Sequence, residues 1–144
     1  MKIVIDTNVF IAAVLSPSGS AKRVLDVCLS GEVDFALSAP IVAEIGRVLH
    51  KPKISKMHRW TDGEISQFIR DLSDVAEYVP GTTAVEASPD PKDNMIFACA
   101  LEANADYIVS GDAHHVLSVG AFQGIVTLRP PEFLALLPKL KQAA

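Results

Sequence analysis

The sequence contains no apolar run that approaches the ~20 residues required for a membrane-spanning helix. Its amino terminus has one lysine and then a patterned strand, without the apolar segment and small-residue cleavage site of a secretory signal. These two absences predict a soluble protein with no membrane partner and a cytoplasmic location.

Cysteine is scarce, and no glycine-rich phosphate loop is present. Cys28 and Cys99 lie in helical contexts and lack the CxxC or Cys/His spacing of a zinc site, so we expect buried, reduced thiols. Neither of the common glycine-rich loops that cradle nucleotide phosphates occurs, which disfavours a nucleotide cofactor. The chemistry of this chain must therefore be sought in other polar side chains.

An excess of positive charge is also lacking, because the net charge is −4 at pH 7. This excludes an indiscriminately basic nucleic-acid binder but leaves room for a local basic patch. Five of the thirteen Lys and Arg residues fall between positions 47 and 59: Arg47, Lys51, Lys53, Lys56 and Arg59. Cations favoured at a helix C-terminus would explain this segment, and so would a surface that contacts phosphates. Both interpretations stay open at this point.

The 144 residues are 49% hydrophobic, and short strand patterns alternate with helical patterns from end to end. This length corresponds to about one domain, so we predict a single domain over residues 1–144. Alternating strands and helices require crossover connections. The pattern therefore predicts an α/β fold with a mainly parallel sheet and helices on both faces.

Two of the predicted strands end in polar residues that include an aspartate. Residues 2–5 are predicted to form a short buried strand that Asp6 follows directly, and the predicted strand 107–109 is followed by Ser110 and then by Asp112. Ligands of open α/β sheets bind beyond the carboxyl ends of the strands, so both aspartates are site candidates. Taken alone, Asp6 is better explained as a helix cap.

Two helices supply further acids. Glu44 lies at the border of the apolar stripe of a helix that begins near Ser38, and Asp93 lies in the first turn of a helix capped by Asp90. Each has an ordinary explanation by itself: a solvated glutamate in one case, and an acid that stabilises the positive helix end in the other. The functional interpretation depends on several acids meeting.

Asp6, Glu44, Asp93 and Asp112 stand at element edges that a parallel sheet can bring together. Closely spaced like charges would raise each other's pKa and destabilise the fold, so such a cluster usually holds a hard divalent cation. Oxygen-only ligands indicate Mg²⁺ or Mn²⁺ rather than zinc. Mg²⁺ held by carboxylates suits phosphate chemistry, which favours hydrolysis of a phosphodiester.

With these residues in place, the chain resembles PIN-domain ribonucleases, in particular the small bacterial VapC-like branch of toxin–antitoxin systems. The matching segments are residues 3–9 (IVIDTNV), Glu44, residues 90–94 (DPKDN), residues 105–112 (ADYIVSGD) and residues 129–134 (RPPEFL). They span nearly the whole chain. Each segment is short, and their order and intervals make the combination specific.

The resemblance implies a three-layer α/β/α sandwich with a parallel five-stranded sheet in the order 3-2-1-4-5. In that order the first and fourth strands are neighbours where the winding reverses, so Asp6 and Asp112 would meet at the topological switch point. The resemblance also makes Asp6, Glu44 and Asp93 the acidic core and Asp112 a more peripheral metal ligand. Asn8 would orient the acids or the substrate, and cleavage would leave 5′-phosphate and 3′-hydroxyl ends.

Two departures from the family pattern lie after the fourth strand. Ser110 occupies a position where the family often has threonine, and it keeps the hydroxyl. His114 and His115 follow Asp112 where a charged or polar residue is usual. The histidines would contact phosphate or bias the site toward Mn²⁺, although loop histidines without a role are commoner.

The resulting hypothesis is an Mg²⁺- or Mn²⁺-dependent endoribonuclease, the toxin of a toxin–antitoxin system, in which the four acids are catalytic metal ligands. Asn8 and Ser110 would orient the substrate. The basic segment 47–59, together with Lys22 and Arg23, would hold the RNA backbone. A cognate antitoxin and a second copy of the chain are the expected protein partners, the latter because small toxin-like members tend to self-associate.

Two rival interpretations stay open. A phosphatase or phosphoacceptor domain also places an aspartate at a strand end beside Mg²⁺. It needs an aspartyl nucleophile with a second acid or a lysine at set positions, whereas the residue two positions after Asp6 is Asn8. The other rival is a PIN-like module that binds a protein partner without catalysis, which the presence of all four acids disfavours.

Overall fold

The computed structural model describes residues 1–112 and 116–143, with side chains for residues 1–112 and 116–139. The strands are β1 (Lys2–Ile5), β2 (Asp34–Ser38), β3 (Glu77–Val79), β4 (Tyr107–Val109), β5 (Ala121–Phe122) and β6 (Ile125–Leu128). The α-helices are α1 (Thr7–Leu15), α2 (Ser20–Leu29), α3 (Ala39–Leu49), α4 (Pro52–His58), α5 (Asp62–Val75), α6 (Asn94–Glu102) and α7 (Pro130–Ala143).

The strands form one sheet in the order β3-β2-β1-β4-β6-β5. Every neighbouring pair is parallel except β5 and β6, which are antiparallel. Among the parallel strands alone, β6 is the fifth in chain order and lies beside β4, so the predicted order 3-2-1-4-5 is confirmed. The added strand β5 was not predicted. Its turn to β6 has positive φ at Gln123 and Gly124, and glutamine is not a residue that signals such a hairpin.

The winding of the sheet reverses between β1 and β4. Ile3 pairs with Tyr107 and Ile5 with Val109 in a parallel register, so both strands end at the same edge of the sheet. Asp6 and Ser110 are the first residues beyond those ends. The predicted topological switch point is therefore present where two polar segments leave the sheet.

Helices cover both faces of the sheet. Ile3, Val4 and Ile5 are all buried, although successive strand residues point to opposite faces. The α6 helix packs against β1, β2 and β4, whereas α1 packs against α2 and α3, and α2 packs against α7. This is the three-layer α/β/α arrangement that the sequence predicted.

The structure bears on the two cysteines and on the length and polarity of the helices. Cys28 and Cys99 are buried free thiols, as predicted, and burial raises the pKa of each to about 12. In the part of the chain that the structure describes, no helix has the length and apolar character needed to cross a membrane.

Helix boundaries follow the sequence signals at some places and not at others. The Thr-x-x-Glu spacing of residues 61–64 predicts a capping box, and Thr61 and Glu64 form one at the start of α5, each side chain accepting the backbone N–H of the other residue. The α4 helix was not predicted. Pro52 at its start and Arg59 at its C-cap, with φ of 58°, limit it to seven residues, too few to show a helical period.

The acidic segment before α6 folds differently from the prediction. Asp90 was expected to cap α6, but its carboxylate accepts the Lys92 N–H at 3.0 Å and caps a 3-10 turn, Pro91–Asp93. The α6 helix begins at Asn94, so Asp93 occupies its N-cap position and not its first turn. The proline fixes φ and has no N–H to donate, which favours a tight turn at this point.

Candidate active site

The carboxyl end of β1, the α3 helix and the segment before α6 enclose an open pocket of about 710 Å³. Its lining residues are Asp6, Thr7, Asn8, Ile11, Glu44, Arg47, Val48, Asp90, Lys92, Asp93 and Met95. Asp6, Glu44 and Asp93, three of the acids predicted as metal ligands, therefore line the same pocket. Asn8 lies in the same pocket, and Asp112 lies beside Asp6 after β4.

Asp6 is held at the strand end by hydrogen bonds of both its backbone and its side chain. Its backbone N–H donates to the Val109 carbonyl at 2.9 Å, which extends the pairing of β1 with β4 by one residue. Its Oδ2 atom accepts the Ser110 hydroxyl at 2.7 Å and the Asn8 side-chain amide at 3.1 Å. Asp6 occupies the N-cap position of α1, and among the described residues its carboxylate makes no side-chain capping hydrogen bond of the usual kind.

Asn8 and Ser110 also tie the two strand ends to each other. The Asn8 side-chain oxygen accepts the Gly111 N–H at 3.0 Å, and the Ser110 hydroxyl accepts the Asp112 N–H at 2.9 Å. Both residues that were predicted to orient the substrate are therefore engaged in orienting Asp6. Their contact with a substrate stays a prediction.

Burial is the largest influence on Asp6, which is 4% exposed, and it raises the pKa of the carboxyl group above its usual value. Hydrogen bonds from Ser110, the Thr7 N–H and Asn8 lower this pKa, while the negative charge of Asp112 raises it further. Because the ionised carboxylate has lost water and faces a like charge, a positive ligand beside it would be stabilising.

Glu44 lines the pocket from α3, and its pKa is shifted in the opposite direction to that of Asp6. Its carboxylate accepts two hydrogen bonds from Arg47, at 2.6 Å from Nη2 and at 3.0 Å from Nε. These bonds hold the pKa of Glu44 below its usual value, and the positive charges of Lys51 and Lys92 act in the same direction. Arg47, which was predicted to contact RNA, therefore neutralises a candidate metal ligand.

Two residues of α6 hold the irregular segment that closes the third side of the pocket. The Asn94 side-chain oxygen accepts the N–H groups of residues 87–88, at 3.0 and 2.8 Å. The Glu102 carboxylate accepts the N–H groups of Gly81 at 2.8 Å and Thr83 at 2.9 Å, which lowers its pKa. The helix thereby restrains the loop that delivers the acids of the DPKDN motif.

Asp112 follows β4 and influences Asp6 through its negative charge. Its backbone is bound to the Ser110 hydroxyl, and its negative charge raises the pKa of Asp6. This arrangement agrees with a peripheral place in the site, and direct ligation of a metal by Asp112 stays a prediction. His114 and His115 lie outside the described residues.

The residues predicted to hold the RNA backbone are distributed over three helices. Lys22 and Arg23 are on α2, Arg47 is on α3, and Lys51, Lys53, Lys56 and Arg59 are on α4 or next to it. Lys22 forms an ion pair with Asp26 in its own helix. Arg47 lines the pocket, and Lys51 is close enough to lower the pKa of Glu44. Contact of these residues with RNA stays a prediction.

The donor chemistry of the pocket fits a hard divalent cation, with the acids spread around it. Among residues 1–112 and 116–143, no three carboxylate, imidazole or thiol groups lie close enough together to hold one ion. The pocket also contains the buried Thr7 hydroxyl, which has no hydrogen-bond partner among the described residues. Oxygen donors of these kinds suit Mg²⁺ or Mn²⁺.

Lys92 and Thr7 line the pocket but were not predicted as site residues, although both lie in motifs from which the site was predicted. Lys92 stands between two acids of the DPKDN motif, and Thr7 follows Asp6 directly. Sequence reasoning also missed the ion pair of Glu44 with Arg47. The spacing of three residues on one helix is a sufficient signal for such a pair.

These features define a class: an open α/β protein with an acidic pocket at its topological switch point. Comparison with known proteins then gives the family. The PIN domain family profile matches residues 2–114. An uncharacterized protein of Methanocaldococcus jannaschii is 31% identical over 112 residues, which are 78% of this chain and 71% of that protein. The chain belongs to the PIN domain family.

Solved structures share this fold. One is the crystal structure of VapBC2 from Rickettsia felis bound to a DNA fragment from the VapBC2 promoter. It superposes with a TM-score of 0.59 at 14% sequence identity, and the match covers 90% of this chain and 98% of that chain. FitAB bound to the IR36 DNA fragment superposes with a TM-score of 0.55 at 18% identity, covering 89% and 94% of the two chains. At these identities the likeness shows the common architecture.

Proposed function

We propose that this chain is a metal-dependent endoribonuclease and the toxin component of a toxin–antitoxin pair. The observation that carries the proposal is the pocket at the carboxyl end of β1 that Asp6, Glu44 and Asp93 line. Membership in the PIN domain family supports it. The reaction would be hydrolysis of an RNA phosphodiester bond without a covalent enzyme intermediate.

Asp6, Glu44 and Asp93 would hold Mg²⁺ or Mn²⁺, with Asp112 as a more peripheral ligand. The bound ion would supply an activated water and offset the charge on the phosphate. Asp6 contributes a carboxylate that Ser110 and Asn8 already orient, so its position costs little to organise when a ligand arrives.

RNA would approach over the cations that surround the acidic pocket. Arg47 and Lys92 line the pocket itself, and exposed lysines lie on α4, the helix that follows α3 in the chain. Phosphates held by these side chains would keep the strand in place while one phosphodiester lies next to the acids. This division separates the residues for binding from those for hydrolysis.

A partner protein is part of the proposal. The two similar structures are of VapBC2 and FitAB, each bound to DNA, which supports an antitoxin partner for this chain as well. We also propose that the chain forms a homodimer. Light scattering that detects only monomer at high protein concentration would contradict the dimer.

A PIN-like module that binds a partner without catalysis is the second candidate. The ion pair between Arg47 and Glu44 favours it, because a carboxylate already neutralised by an arginine is less available to a metal. Under this alternative the pocket would be a charged surface for a protein, and removal of the acids would leave its partner bound.

The test is cleavage of a mixed single-stranded RNA pool by the purified protein with Mg²⁺, Mn²⁺ or EDTA. Asp6→Asn and Asp93→Asn variants are compared with wild type, and Asp71→Asn serves as the matched control because Asp71 is exposed on α5. We expect metal-dependent cleavage in wild type and in the control, and its loss in both site variants.

Other outcomes separate the candidates. Absence of cleavage with either metal, together with no divalent binding in calorimetry, would favour the binding module. Cleavage that persists in Asp6→Asn and Asp93→Asn would place the nuclease activity outside this pocket. A covalent phosphoaspartate trapped at Asp6 would instead indicate a phosphatase or phosphoacceptor.

A further inference from the structure

We propose that Arg47 is a positioning residue that couples metal binding to RNA binding. In this inference, which rests on the proposed function, Arg47 holds Glu44 while the metal is absent. When the metal binds Glu44, the guanidinium group is released and contacts a phosphate of the RNA. The inference starts from the ion pair of Arg47 with Glu44, in which the guanidinium group donates two hydrogen bonds to a carboxylate that lines the pocket.

The geometry of α3 allows this exchange without a change of the backbone. Glu44 and Arg47 are three residues apart on one helix, and the side chain of Arg47 is 58% exposed against 26% for Glu44. The arginine therefore lies on the solvent side of the acid. Rotation of its side-chain torsions is enough to carry the guanidinium from the carboxylate to the mouth of the pocket.

The charges around the pocket favour the same exchange. Glu44 receives positive potential from Arg47, Lys51 and Lys92, so a divalent cation must displace or tolerate these charges to reach the carboxylate. Arg47 is the member of this group whose hydrogen bonds occupy both carboxylate oxygens. A metal that binds Glu44 would repel the guanidinium, whereas an incoming phosphate would attract it.

The chemistry of the side chain also fits. The planar guanidinium group makes paired hydrogen bonds with carboxylates and with phosphates in nearly the same geometry, whereas a lysine ammonium acts as a point charge. Arg47 can thus replace one partner by the other with no loss of pairing. The consequence is that bound metal strengthens RNA binding, and by linkage bound RNA strengthens metal binding to the same extent.

The first experiment measures Mn²⁺ affinity by calorimetry without RNA. Loss of the ion pair should tighten Mn²⁺ binding by Arg47→Ala about threefold to tenfold relative to wild type. Arg47→Lys keeps the charge but not the paired hydrogen bonds, so its Mn²⁺ affinity should lie between those of wild type and Arg47→Ala. Arg70→Ala is the matched control, because Arg70 is an exposed arginine on α5 bonded to Gln67. Circular dichroism and the unfolding temperature establish that each variant is folded.

The second experiment measures binding of a fluorescent single-stranded RNA across a salt series, with EDTA or with Ca²⁺, while a gel checks that the RNA stays intact. With Ca²⁺, the slope of log affinity against log salt should be smaller in Arg47→Ala than in wild type by about 0.7, the value of one phosphate contact. With EDTA the two slopes should agree, because Arg47 is then held by Glu44.

The outcomes distinguish failure of this inference from failure of the proposed function. If wild type binds Mn²⁺ and cleaves RNA, but Arg47→Ala binds Mn²⁺ with unchanged or weaker affinity, the coupling role is wrong and the nuclease stands. An equal loss of RNA affinity with and without metal would make Arg47 a simple backbone contact, which also overturns the inference. If wild type binds no metal and cleaves no RNA, both proposals are wrong.

Discussion

The two walls of the pocket hold their acids in opposite ways. On the strand side, Asp6 is buried and fixed by side-chain hydrogen bonds, and its pKa is raised. On the helix side, Glu44 is more exposed and ion-paired, and its pKa is lowered. The strand wall is therefore held by its own hydrogen bonds, whereas our proposal for Arg47 requires Glu44 on the helix wall to exchange one partner for another.

The largest effect is expected from Asp6→Asn, which alters the strand wall. Activity should fall at least about 100-fold, since loss of a ligand should exceed the effect of losing a supporting residue. In EDTA at neutral pH the variant should also unfold about 2–4 °C higher, because it removes a buried charge. Cleavage rates and thermal unfolding measure the two effects.

Asp71→Asn is the control for Asp6→Asn, and it should change neither quantity. If Asp6→Asn were less stable than wild type in EDTA, this would contradict the view that burial of the ionised Asp6 carboxylate destabilises the folded protein. Added Mn²⁺ should raise the unfolding temperature of wild type more than that of Asp6→Asn, since ligand binding stabilises the folded state.

Ser110→Ala tests whether the strand wall depends on its hydrogen bonds. The variant leaves Asp6 without the 2.7 Å bond from the hydroxyl and leaves the Asp112 N–H without its acceptor. Metal affinity or cleavage should fall about 10–100-fold, as is typical when a partner that orients a ligand is lost. Ser110→Thr keeps the hydroxyl and should stay close to wild type. Equal loss in both variants would point to packing and not to the hydrogen bonds.

Gly81→Ala disturbs the loop on the other wall. Gly81 has φ of 73°, and an added Cβ would lie 2.7 Å from the Ser38 Cβ. The expected loss in free energy of unfolding is about 1–3 kcal/mol, measured by denaturant unfolding. Gly31→Ala is the control, because Gly31 has φ of 83° and nothing within 4 Å of an added Cβ. A smaller loss at Gly81 than at Gly31 would mean that the loop moves away freely.

The smallest effect concerns Glu102, which restrains the same loop. Its lowered pKa means that its contribution to stability is present above the unfolded-state pKa and is lost as pH falls through the folded-state value. Glu102→Gln should therefore be less stable than wild type at pH 7, and the difference should shrink in acid. Thermal unfolding between pH 7 and pH 3 would measure it, and a difference that grows in acid would contradict the assignment.

Sequence reasoning predicted the strand wall better than the helix and loop wall. A buried strand that ends in an aspartate is a local pattern, and the alternation of elements specifies a parallel sheet whose strands end together. The positions of Asp6 and Ser110 follow from those two facts. The hydrogen bonds among Asn8, Ser110 and the loop after β4 follow only once the register of β1 and β4 is known.

The helix and loop wall depends on contacts that no periodicity reveals. From the sequence Asp90 has two possible roles, a cap of α6 and a cap of the preceding turn, and it takes the second in a loop that Asn94 and Glu102 hold by hydrogen bonds. The four-residue strand β6 has a recognisable pattern, whereas β5 has two residues and becomes a strand only by pairing with it. Elements stabilised mainly by tertiary contacts are the ones that sequence patterns miss.

The most direct test of the central claim is the location of Mn²⁺ by anomalous diffraction from crystals of this protein soaked in the ion. We predict a peak in the pocket, coordinated by oxygen atoms of Asp6 and Asp93, with Glu44 released from Arg47. A peak elsewhere, or no peak in the pocket at a concentration that supports cleavage, would contradict the claim that these acids are the metal site.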